Sequence, residues 1–428
     1  MKIKYTSLIC LFMGINSVSF ANEPSDYGEI IDPGYMLDYL YDGYAGYRNT
    51  HWMSAIPDSR KLSEISIPGT HNSLSKEPEL ISQTQTLSLY SQLQAGVRFF
   101  DIRMKYINGS LYAYHGPISQ KTTFKQTISV ISDFLDRYPS ESILIMLSNE
   151  SGASHNAEKF WDRYNQVINE FSSYYINPKS DDPTLGEVRG KFTIISKFRH
   201  YDPVGIEYRS MDVQDDYHIS SNWALHDKWN KVKHHFLKSK HGISVNYLSA
   251  SGGSFPYFVA SGKSSQGSHA PQLLTGSLVV NDPGVYPDFP RVGCLGYLCS
   301  IAFAGTNQLT SKWIQEDKLP DNLGIVVADF IGPRLIHNII ASNDTTLDCV
   351  SIYEHNNYSG INTCISEDTA YVGHWFNDKL SSYKIPKNWV VRFYTHENYQ
   401  GGYYTRTGNH RSDIDLNDKI SSIKILSR

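Results

Sequence analysis

Two histidines and an arginine occupy positions from which they could carry out acid–base chemistry on a phosphate ester. His71 follows the run Ser-Ile-Pro-Gly-Thr, Arg103 ends the run Gly-Val-Arg-Phe-Phe-Asp-Ile-Arg, and His115 precedes a Gly-Pro pair. Two histidines can serve as general base and general acid. A guanidinium beside them can hold a phosphate through two parallel hydrogen bonds. This combination suits phosphoryl transfer to a hydroxyl of the same molecule.

The elements that would position these residues alternate between short apolar runs and helical patterns. This alternation predicts an α/β fold with a parallel, TIM-type β/α barrel, regular or irregular. Candidate strands are 64–67, 97–102, 111–115, 143–148, 192–196, 243–248, 277–281 and 324–328. Candidate helices are one between 115 and 143, capped by Thr122 or Thr123 and stopped by Pro139, and 156–171, 222–238, 308–317 and 333–341. Active residues of such barrels lie at the carboxyl ends of strands, and the two histidines, Arg103 and Asp329 all fall at or just beyond predicted strand ends.

Length and composition favour an exported protein with two domains. The chain has 428 residues, 40% of them hydrophobic, and a formal net charge of −4, so neither disorder nor nucleic-acid binding is indicated. Residues 1–21 resemble a signal peptide, with Lys2 and Lys4 before an apolar run and Ser-Phe-Ala at its end. We therefore expect a secreted or periplasmic monomer with domains at 22–346 and 347–428.

Cysteine usage also fits export. The cysteines after the signal peptide are Cys294, Cys299, Cys349 and Cys364, and an even number in an exported chain favours disulfides. Of the three connectivities we favour Cys294–Cys299 and Cys349–Cys364, because each pair falls within one segment. Buried free thiols are the alternative, and the spacing without neighbouring histidines does not resemble a zinc site.

The motifs together resemble the bacterial phosphatidylinositol-specific phospholipases C. The resemblance covers roughly residues 50–345 and rests on five segments in the family's order: HWMSAIPDSRKLSEISIPGTHNS, GVRFFDIRM, YHGP, YPSESILIMLSNE and GKFTIISKF. It implies the barrel and a phosphatidylinositol diacylglycerol-lyase that releases diacylglycerol and inositol 1,2-cyclic phosphate. The partner would be a membrane phospholipid, contacted transiently. Whether glycosyl-phosphatidylinositol anchors are cleaved stays open.

The resemblance assigns a role to each catalytic residue. His71 would take the proton from the inositol 2-hydroxyl, and His115 would protonate the diacylglycerol oxygen as it leaves. Arg103 would hold the phosphate oxygens and stabilise charge in the transition state. Asp329 would orient His71 and stabilise its imidazolium form.

Contacts to the inositol head group are expected from residues that follow the strand 192–196 and from a nearby loop. Lys197 or Arg199 is the candidate to bind inositol hydroxyls or phosphate. Asp215 and Tyr217 resemble family residues that bind the ring and stack on it. A capping aspartate and a packed tyrosine are the alternative interpretation.

Asn72 follows the first histidine where the bacterial family usually has aspartate. Together with Asp101 and Glu150 it could supply oxygens to calcium, as in calcium-dependent eukaryotic relatives. Arg103, however, would place a positive charge where the cation would lie. We therefore expect an active site without a cofactor, in which Asn72 contacts the substrate.

The chain after residue 346 changes to short alternating strands and contains an internal repeat. The pattern Tyr-x4-Tyr-x-Gly occurs at 353–360 and 394–401, and Asn-Asp-x-x-Ser-Ser occurs at 377–382 and 417–422. This repeat resembles a βγ-crystallin domain, which is an all-β sandwich of two Greek keys.

The crystallin resemblance implies calcium ligands from both halves of the repeat. The candidates are Asp378, Lys379 through its carbonyl, Ser381, Asp418, Lys419 through its carbonyl, and Ser421, with further carbonyls from Glu354 and Thr395. A calcium-free module whose serines cap turns is the alternative.

Two questions stay open at this stage. The most apolar loop-like stretch, 294–305, either rests on a lipid surface near the barrel mouth or forms a core segment pinned by a disulfide. The function has two alternatives: a phosphodiesterase of the same barrel family acting on another head group, and a non-catalytic barrel that binds inositol or glycan.

Overall fold

The structure is a computed structural model of the chain. It describes residues 37–42, 48–78, 81–150, 157–197, 204–238, 241–280, 282, 284–343, 349–355, 359–374, 376–386, 389–407 and 416–428. The predicted signal peptide and Arg199 lie outside these residues.

The strands of the described residues divide between a barrel and smaller sheets. They are β1 (Ile67–Thr70), β2 (Phe99–Ile107), β3 (Ser110–His115), β4 (Ile118–Thr123), β5 (Ile143–Asn149), β6 (Phe192–Ser196), β7 (Ile206–Glu207), β8 (Asp212–Gln214), β9 (His218–Ile219), β10 (Ser244–Tyr247), β11 (Ser251–Gly252), β12 (Leu274–Val280), β13 (Arg291–Leu295), β14 (Leu298–Ala302), β15 (Ile325–Ala328), β16 (Val350–His355), β17 (Ser359–Ile365), β18 (Ser382–Lys384), β19 (Val390–His396), β20 (Gln400–Thr407) and β21 (Ser422–Ser427). Eight of them pair in parallel in the order β7-β6-β5-β2-β1-β15-β10-β8. No pairing among the described strands joins β7 to β8, so the predicted barrel is confirmed in an open, irregular form.

Helices return the chain between the parallel strands. They are α1 (Leu89–Ala95), α2 (Phe124–Arg137), α3 (Ala157–Glu170), α4 (Leu185–Val188), α5 (Leu225–Leu237), α6 (Pro256–Ser261), α7 (Thr306–Gln315) and α8 (Pro333–Ala341). Helix α2 begins as predicted, because the Thr123 side chain accepts from the Gln126 amide and the Gln126 side chain accepts from the Thr123 amide. Its apolar face is buried against the barrel.

The first barrel strand begins three residues later than predicted. Pro68 and Gly69, which are typical of turns, lie inside β1 rather than beyond its end. Gly69 is needed there, since a Cβ atom at this position would lie 2.9 Å from a ring carbon of Phe99 on the neighbouring strand. A side chain would therefore push β1 away from β2.

Two other predicted strands exist but do not belong to the barrel wall. The strand that ends in His115 is β3, which pairs antiparallel with β2 and β4. The segment predicted at 277–281 ends β12, which forms an antiparallel sheet in the order β12-β14-β13. Their burial differs from that of the barrel strands: β3 and β12 alternate between buried and more exposed residues, whereas β1, β10 and β15 are buried throughout.

The predicted all-β region after residue 346 is confirmed. Its two repeats form three-stranded antiparallel sheets of equivalent order, β17-β16-β18 and β20-β19-β21. A bridge between Thr369 and Ile423 joins a residue of the first repeat to the last strand of the second. The region has its own apolar cluster, distinct from that of the barrel.

The structure bears on the cysteines and on membrane insertion. Cys294 and Cys299 form the predicted disulfide. Cys349 is also disulfide-bonded, while the side chain of Cys364 lies outside the described part, so that pairing stays a prediction. Within the described residues no helix has the length and apolarity needed to span a bilayer.

Candidate active site

Two neighbouring strands bring His71 and Asp329 together at the carboxyl end of the barrel. Thr70 at the end of β1 is in register with Ala328 at the end of β15, and the His71 amide donates to the Ala328 carbonyl at 3.1 Å. Residues that directly follow paired positions of parallel strands leave the sheet side by side. The predicted proximity of these two residues is therefore built into the strand register.

His71 is held by one partner on each ring nitrogen. Its Nδ1 lies 2.8 Å from Oδ1 of Asp329, which is 2% exposed, and its Nε2 lies 3.1 Å from an Nη atom of Arg103. Because an arginine can only donate, Nε2 is the accepting nitrogen and Nδ1 carries the proton. Burial raises the pKa of Asp329, and the imidazole beside it partly offsets this rise. His71 thus presents an unprotonated Nε2, as a general base requires.

Arg103 bridges acidic groups on β2 and at the end of β5. Its guanidinium lies 3.3 Å from Oδ2 of Asp101 and 3.8 Å from Oε1 of Glu150. Burial is the largest single influence and opposes both charges. Arg103, His71 and the Asn72 amide together still lower the pKa of Asp101, while Asp101 and Glu150 raise the pKa of Arg103. A fixed cation therefore lies directly beside the base.

The same geometry bears on the calcium alternative. Asn72 Oδ1 and Asp101 Oδ1 are buried and lack hydrogen-bond partners, so two oxygens of the right chemistry face the site. The guanidinium of Arg103, however, occupies the space between Asp101 and Glu150 and already neutralises them. Among the residues that the structure describes, no three His, Cys, Asp or Glu side chains form a metal-binding group. The guanidinium therefore competes with a cation for this position.

His115 ends β3 in the β3–β4 hairpin and contacts the loop that follows β1. Its Nδ1 lies 2.7 Å from the Ser82 carbonyl and 3.2 Å from the Ser75 hydroxyl, so Nδ1 is the donating nitrogen. The Asn72 amide nitrogen lies 3.2 Å from Nε2 and donates to it. Burial, with smaller contributions from the charges of His71 and Arg103, lowers the pKa of His115 to about 4, although the Ser82 carbonyl opposes this shift.

The loop after β1 carries residues that the sequence did not reveal. Asn72 has φ 41°, and the Gln85 side chain donates to the carbonyls of His71 and Ala328, each at 3.0 Å. These bonds fix the backbone at which the base leaves the strand. Local patterns could not identify Gln85 or Ser82, because their contacts depend on how the loop folds back over the barrel.

Two tyrosines also line the site without a sequence signal. The Tyr247 ring lies edge-on to His71 with the ring centres 6.0 Å apart, and Tyr208 hydrogen-bonds to Tyr247. Burial raises the pKa of both phenols. Both tyrosines are therefore uncharged where they line the site beside the catalytic groups.

The predicted head-group residues are only partly brought together. Lys197 Nζ lies 3.6 Å from Oδ2 of Asp215 and 4.9 Å from the Tyr208 ring centre. Tyr217 is 67% exposed at the rim, and Arg199 lies outside the described part of the chain. Lys197, Asp215 and Tyr208 thus form one polar cluster beside the catalytic groups.

A buried lysine that the sequence did not single out holds the loop that bears Asp215. Lys228 is 2% exposed, and its ammonium donates to Gln214 Oε1 at 3.2 Å and to the Asp216 carbonyl at 2.9 Å. Burial lowers its pKa to about 8, although Asp215 and Asp216 raise it. Lys228 therefore holds the side chain of Gln214 and the backbone of Asp216, the two residues that flank Asp215.

The predicted calcium residues of the C-terminal repeat lie on two loops related by approximate symmetry. Asp378 and Asp418 have φ values of 55° and 54°, and their amides donate to carbonyls of the opposite loop, at 3.1 Å to Ile420 and 3.0 Å to Leu380. Ser421 Oγ lies 3.1 Å from the Thr395 carbonyl. The Ser381 hydroxyl lies 3.4 Å from the Lys379 carbonyl. Carbonyl and hydroxyl oxygens therefore adjoin in both loops.

Comparisons with known proteins agree with this architecture. The family model described as phosphatidylinositol-specific phospholipase C, X domain, matches residues 59–198, and that of peptidase inhibitor family I36 matches 349–407. A 1-phosphatidylinositol phosphodiesterase of Listeria monocytogenes is 33% identical over 220 residues, which are 46% of this chain and 68% of that protein. A solved phosphatidylinositol-specific phospholipase C of S. aureus matches with a TM-score of 0.50 at 20% identity, over 69% of this chain and 98% of that one. A βγ-crystallin from an archaeon matches 18% of this chain and 96% of its own at 29% identity, with a TM-score of 0.17.

Proposed function

Because the chain belongs to the phosphatidylinositol-specific phospholipase C family, we propose that it is an exported phosphodiesterase that cleaves phosphatidylinositol to diacylglycerol and inositol 1,2-cyclic phosphate. The observation that carries the proposal is the contact of Arg103 with His71, together with the nearness of His115, whose pKa the charges of both residues lower. Nε2 of each imidazole is its unprotonated nitrogen, and the guanidinium touches the first of them. A phosphate bound to Arg103 would lie beside the Nε2 of His71.

The first half of the reaction uses the base that Asp329 orients. Nε2 of His71 takes the proton of the inositol 2-hydroxyl, and that oxygen attacks the phosphorus to close a five-membered ring. The Asp329 carboxylate, 2.8 Å from Nδ1, stabilises the imidazolium that forms. Since the nucleophile is tethered to the phosphate, positioning replaces the need for an activated water.

The second half of the reaction needs a proton on the leaving oxygen. His115 in its imidazolium form donates that proton from Nε2 to the diacylglycerol oxygen as the phosphorus–oxygen bond breaks. Arg103 offsets the charge that develops on the phosphoryl oxygens. Hydrolysis of the cyclic product would follow with the roles of the two histidines exchanged.

The head group would be recognised by the polar cluster of Lys197, Asp215 and Tyr208. A carboxylate and an ammonium 3.6 Å apart can accept from and donate to vicinal hydroxyls of the inositol ring. Tyr217 at the rim and Arg199 would complete the contacts, and Asn72 would meet the substrate beside His115. The contacts of Arg103 with Asp101 and Glu150 support catalysis without a metal.

The C-terminal repeat would bind calcium apart from the catalytic reaction. Its adjoining carbonyl and hydroxyl oxygens support this, with Asp378, Asp418 and the carbonyls of Lys379 and Lys419 as ligands. Isothermal titration of the full chain with calcium tests the site, and the variant with both Asp378→Ala and Asp418→Ala should lose the heat of binding. The absence of any heat of binding when calcium is added to the unaltered protein would refute the proposed site.

The reaction is tested by incubating the protein with phosphatidylinositol and recording 31P spectra. We expect the resonance of a five-membered cyclic phosphate to appear before that of inositol 1-phosphate. His71→Ala and His115→Ala should each abolish the signal, whereas Lys125→Ala on an exposed helix should not. The same experiment with excess chelator should give the same rate. Release of inositol 1-phosphate without a cyclic intermediate would contradict the mechanism.

A further inference from the structure

A segment that precedes the barrel in the chain packs against the turn that follows Asp329. Residues 37–42 form this segment, which we call the strap. The Leu40 amide donates to the Phe330 carbonyl at 3.0 Å, and the Gly332 amide donates to a strap carbonyl at 3.0 Å. A Cβ atom at Gly332 would collide with the strap backbone, so the two backbones are in direct contact. The turn after the candidate catalytic carboxylate is therefore built against the strap.

Phe330, the residue after Asp329, has an unusual backbone conformation. Its φ of 45° lies in the left-handed region, which a bulky residue keeps only where surrounding contacts enforce it. Its amide donates to the Thr84 carbonyl at 2.7 Å, and its carbonyl accepts from the strap. Its ring lies 5.6 Å from the Tyr39 ring and 5.4 Å from the Tyr41 ring, centre to centre, and the residue is 2% exposed. The strap therefore supplies backbone and side-chain contacts that hold this conformation.

A buried amide joins the strap to Asp329 directly. Asn307 is fully buried, and its side-chain nitrogen donates to the Asp38 carbonyl at 3.3 Å and to the Asp329 carbonyl at 2.9 Å. Two carbonyl groups, one on the strap and one on the candidate catalytic residue, thus share one donor group. Movement of the strap would therefore disturb the backbone of Asp329.

The strap also holds the loop 82–86, which contacts both histidines of the site. The Tyr41 hydroxyl donates to Gln83 Oε1 at 2.8 Å. Other residues of this loop donate to the His71 carbonyl at 3.0 Å and accept from the His115 ring at 2.7 Å. One bond from the strap therefore supports the loop on which the placement of both imidazoles depends.

The strap is anchored on the connection between α6 and β12. The Ser268 hydroxyl accepts from the Tyr41 and Asp42 amides at 2.8 Å and 2.7 Å. The Ser268 amide donates to Asp42 Oδ2 at 2.7 Å, and the Tyr39 hydroxyl donates to the Gln266 carbonyl. The strap is therefore a fixed support, with partners of its own besides the catalytic loops.

We propose that the strap is a positioning element of the active site: by holding the turn at Phe330, it aims the carboxylate of Asp329 at Nδ1 of His71. This inference rests on the proposed function, in which Nε2 of His71 acts as the base. Strand register brings the two residues side by side, but the direction of the carboxylate depends on the backbone that follows it. Through the loop 82–86 the same strap steadies the backbone of His71 and the ring of His115.

The test measures turnover of phosphatidylinositol by the full chain and by two variants of it. Gly332→Ala displaces the strap without altering any group of the site, and Tyr41→Phe removes only the hydroxyl that holds the loop 82–86. A small misplacement of catalytic groups can cost about 10²-fold in rate, so we expect kcat to fall by about 10- to 100-fold in Gly332→Ala. The loss of one hydrogen bond predicts a fall of about threefold to tenfold in Tyr41→Phe. KM should change by less than about threefold in both variants.

Two control variants lie at the amino-terminal end of the barrel, away from the catalytic groups. A Cβ atom at Gly186 would lie 2.8 Å from the Cβ of Asp58, so Gly186→Ala introduces a comparable collision. Tyr174 donates its hydroxyl to Asp136, and its carbonyl accepts from the amide of Phe192, the first residue of β6. Tyr174→Phe therefore removes a comparable hydroxyl. Neither control should change kcat by more than about twofold.

A spectroscopic readout separates positioning from folding and from the proposed reaction. Nδ1 of His71 lies 2.8 Å from Oδ1 of Asp329, so its proton should give a far-downfield NMR resonance in 15N-labelled protein. Gly332→Ala and Tyr41→Phe should move this resonance upfield or broaden it in protein with a native circular-dichroism spectrum, and neither control should. The measurement needs no substrate, so it tests the strap even if phosphatidylinositol is not cleaved. An unmoved resonance in both variants would overturn the proposal, and so would equal changes in the controls.

Discussion

The side-chain amide of Asn72 donates to Nε2 of His115 at 3.2 Å, on the nitrogen that must carry a proton when the leaving group departs. The bond favours the neutral imidazole, because an amide N–H cannot face a protonated nitrogen. Burial already lowers the pKa of His115 to about 4. The free protein therefore favours the neutral form of His115, so the general-acid role that we propose for it requires substrate binding to raise its pKa. Asn72 Oδ1 has no partner, so rotation of the amide would offer an acceptor to the protonated ring.

Asn72→Asp should raise the pKa of His115. The substitution places an anion about 3 Å from Nε2, and an opposite charge at this distance typically raises a histidine pKa by about 1 to 3 units. We expect the NMR titration of the His115 ring to move from about 4 to above about 5. Asn72→Ala, which removes the donor without adding charge, should move it less. An unchanged titration in Asn72→Asp would show that Asn72 does not control the proton.

The sequence located candidate catalytic residues that lie where the buried stretch of a strand ends. Arg103 and Asp329 could be predicted because an apolar run ends at each of them, and strand register then fixes their neighbours. His115 lies near the other candidate residues, but on the hairpin strand β3 rather than on the barrel strand to which the sequence assigned it. Its bonds to the loop after β1 join residues more than 30 positions apart.

Other features were beyond local patterns for physical reasons. Strands β7 and β8 have two and three residues, which is too short for periodicity to show. Gly69 resembles a turn residue but serves the close approach of two strands. Tyr208 and Lys228 reach the site only because the chain folds back where β7 and β8 are not paired. Tertiary packing decides such positions, and a single sequence carries no signal for them.

Asp329→Asn should reduce turnover far more than substrate binding. Asparagine keeps the size of the side chain but loses the charge that stabilises the imidazolium, and its amide can donate and so favour the wrong His71 tautomer. We expect kcat to fall by about 10² to 10⁴ with KM changed by less than about threefold. Asp288→Asn is the matched control, because Asp288 is a half-buried carboxylate bound to Lys233 and Trp229, neither of which touches the catalytic groups. More than a tenth of the normal kcat in Asp329→Asn would contradict the assigned role.

Glu141→Gln should destabilise the fold without altering the chemistry. Arg98 and Glu141 are both fully buried, 2.9 Å apart, and precede β2 and β5 at the barrel end opposite the catalytic groups. Removing one charge leaves the other buried and unpaired, which costs about 3 to 5 kcal/mol. Urea unfolding followed by tryptophan fluorescence measures this loss of the free energy of unfolding.

The exposed pair of Lys125 and Glu170 provides the comparison for Glu141→Gln. Both side chains are about half exposed, so Glu170→Gln should change the free energy of unfolding by less than about 1 kcal/mol. The kcat of folded Glu141→Gln should stay within about twofold of normal, since no catalytic group touches this pair. Equal stability of the two variants would show that the buried pair contributes nothing specific.

Asp38→Asn should stabilise the protein at neutral pH and lose that advantage in acid. Burial raises the pKa of Asp38 to about 6, although Ser311 and Arg334 lower it, and its Oδ1 has no partner. A carboxyl whose folded pKa lies above its unfolded value of about 3.8 contributes stability that is complete below pH 3.8 and is lost as pH rises through 6. Asparagine does not titrate, so the stability of the variant relative to the unaltered protein should rise across this window by about 2 to 3 kcal/mol.

Unfolding midpoints measured from pH 4 to 8 check this prediction, with Asp58→Asn, at an exposed carboxylate, as control. A pH-independent difference between Asp38→Asn and the unaltered protein would mean that Asp38 is ionised throughout and paired with Arg334.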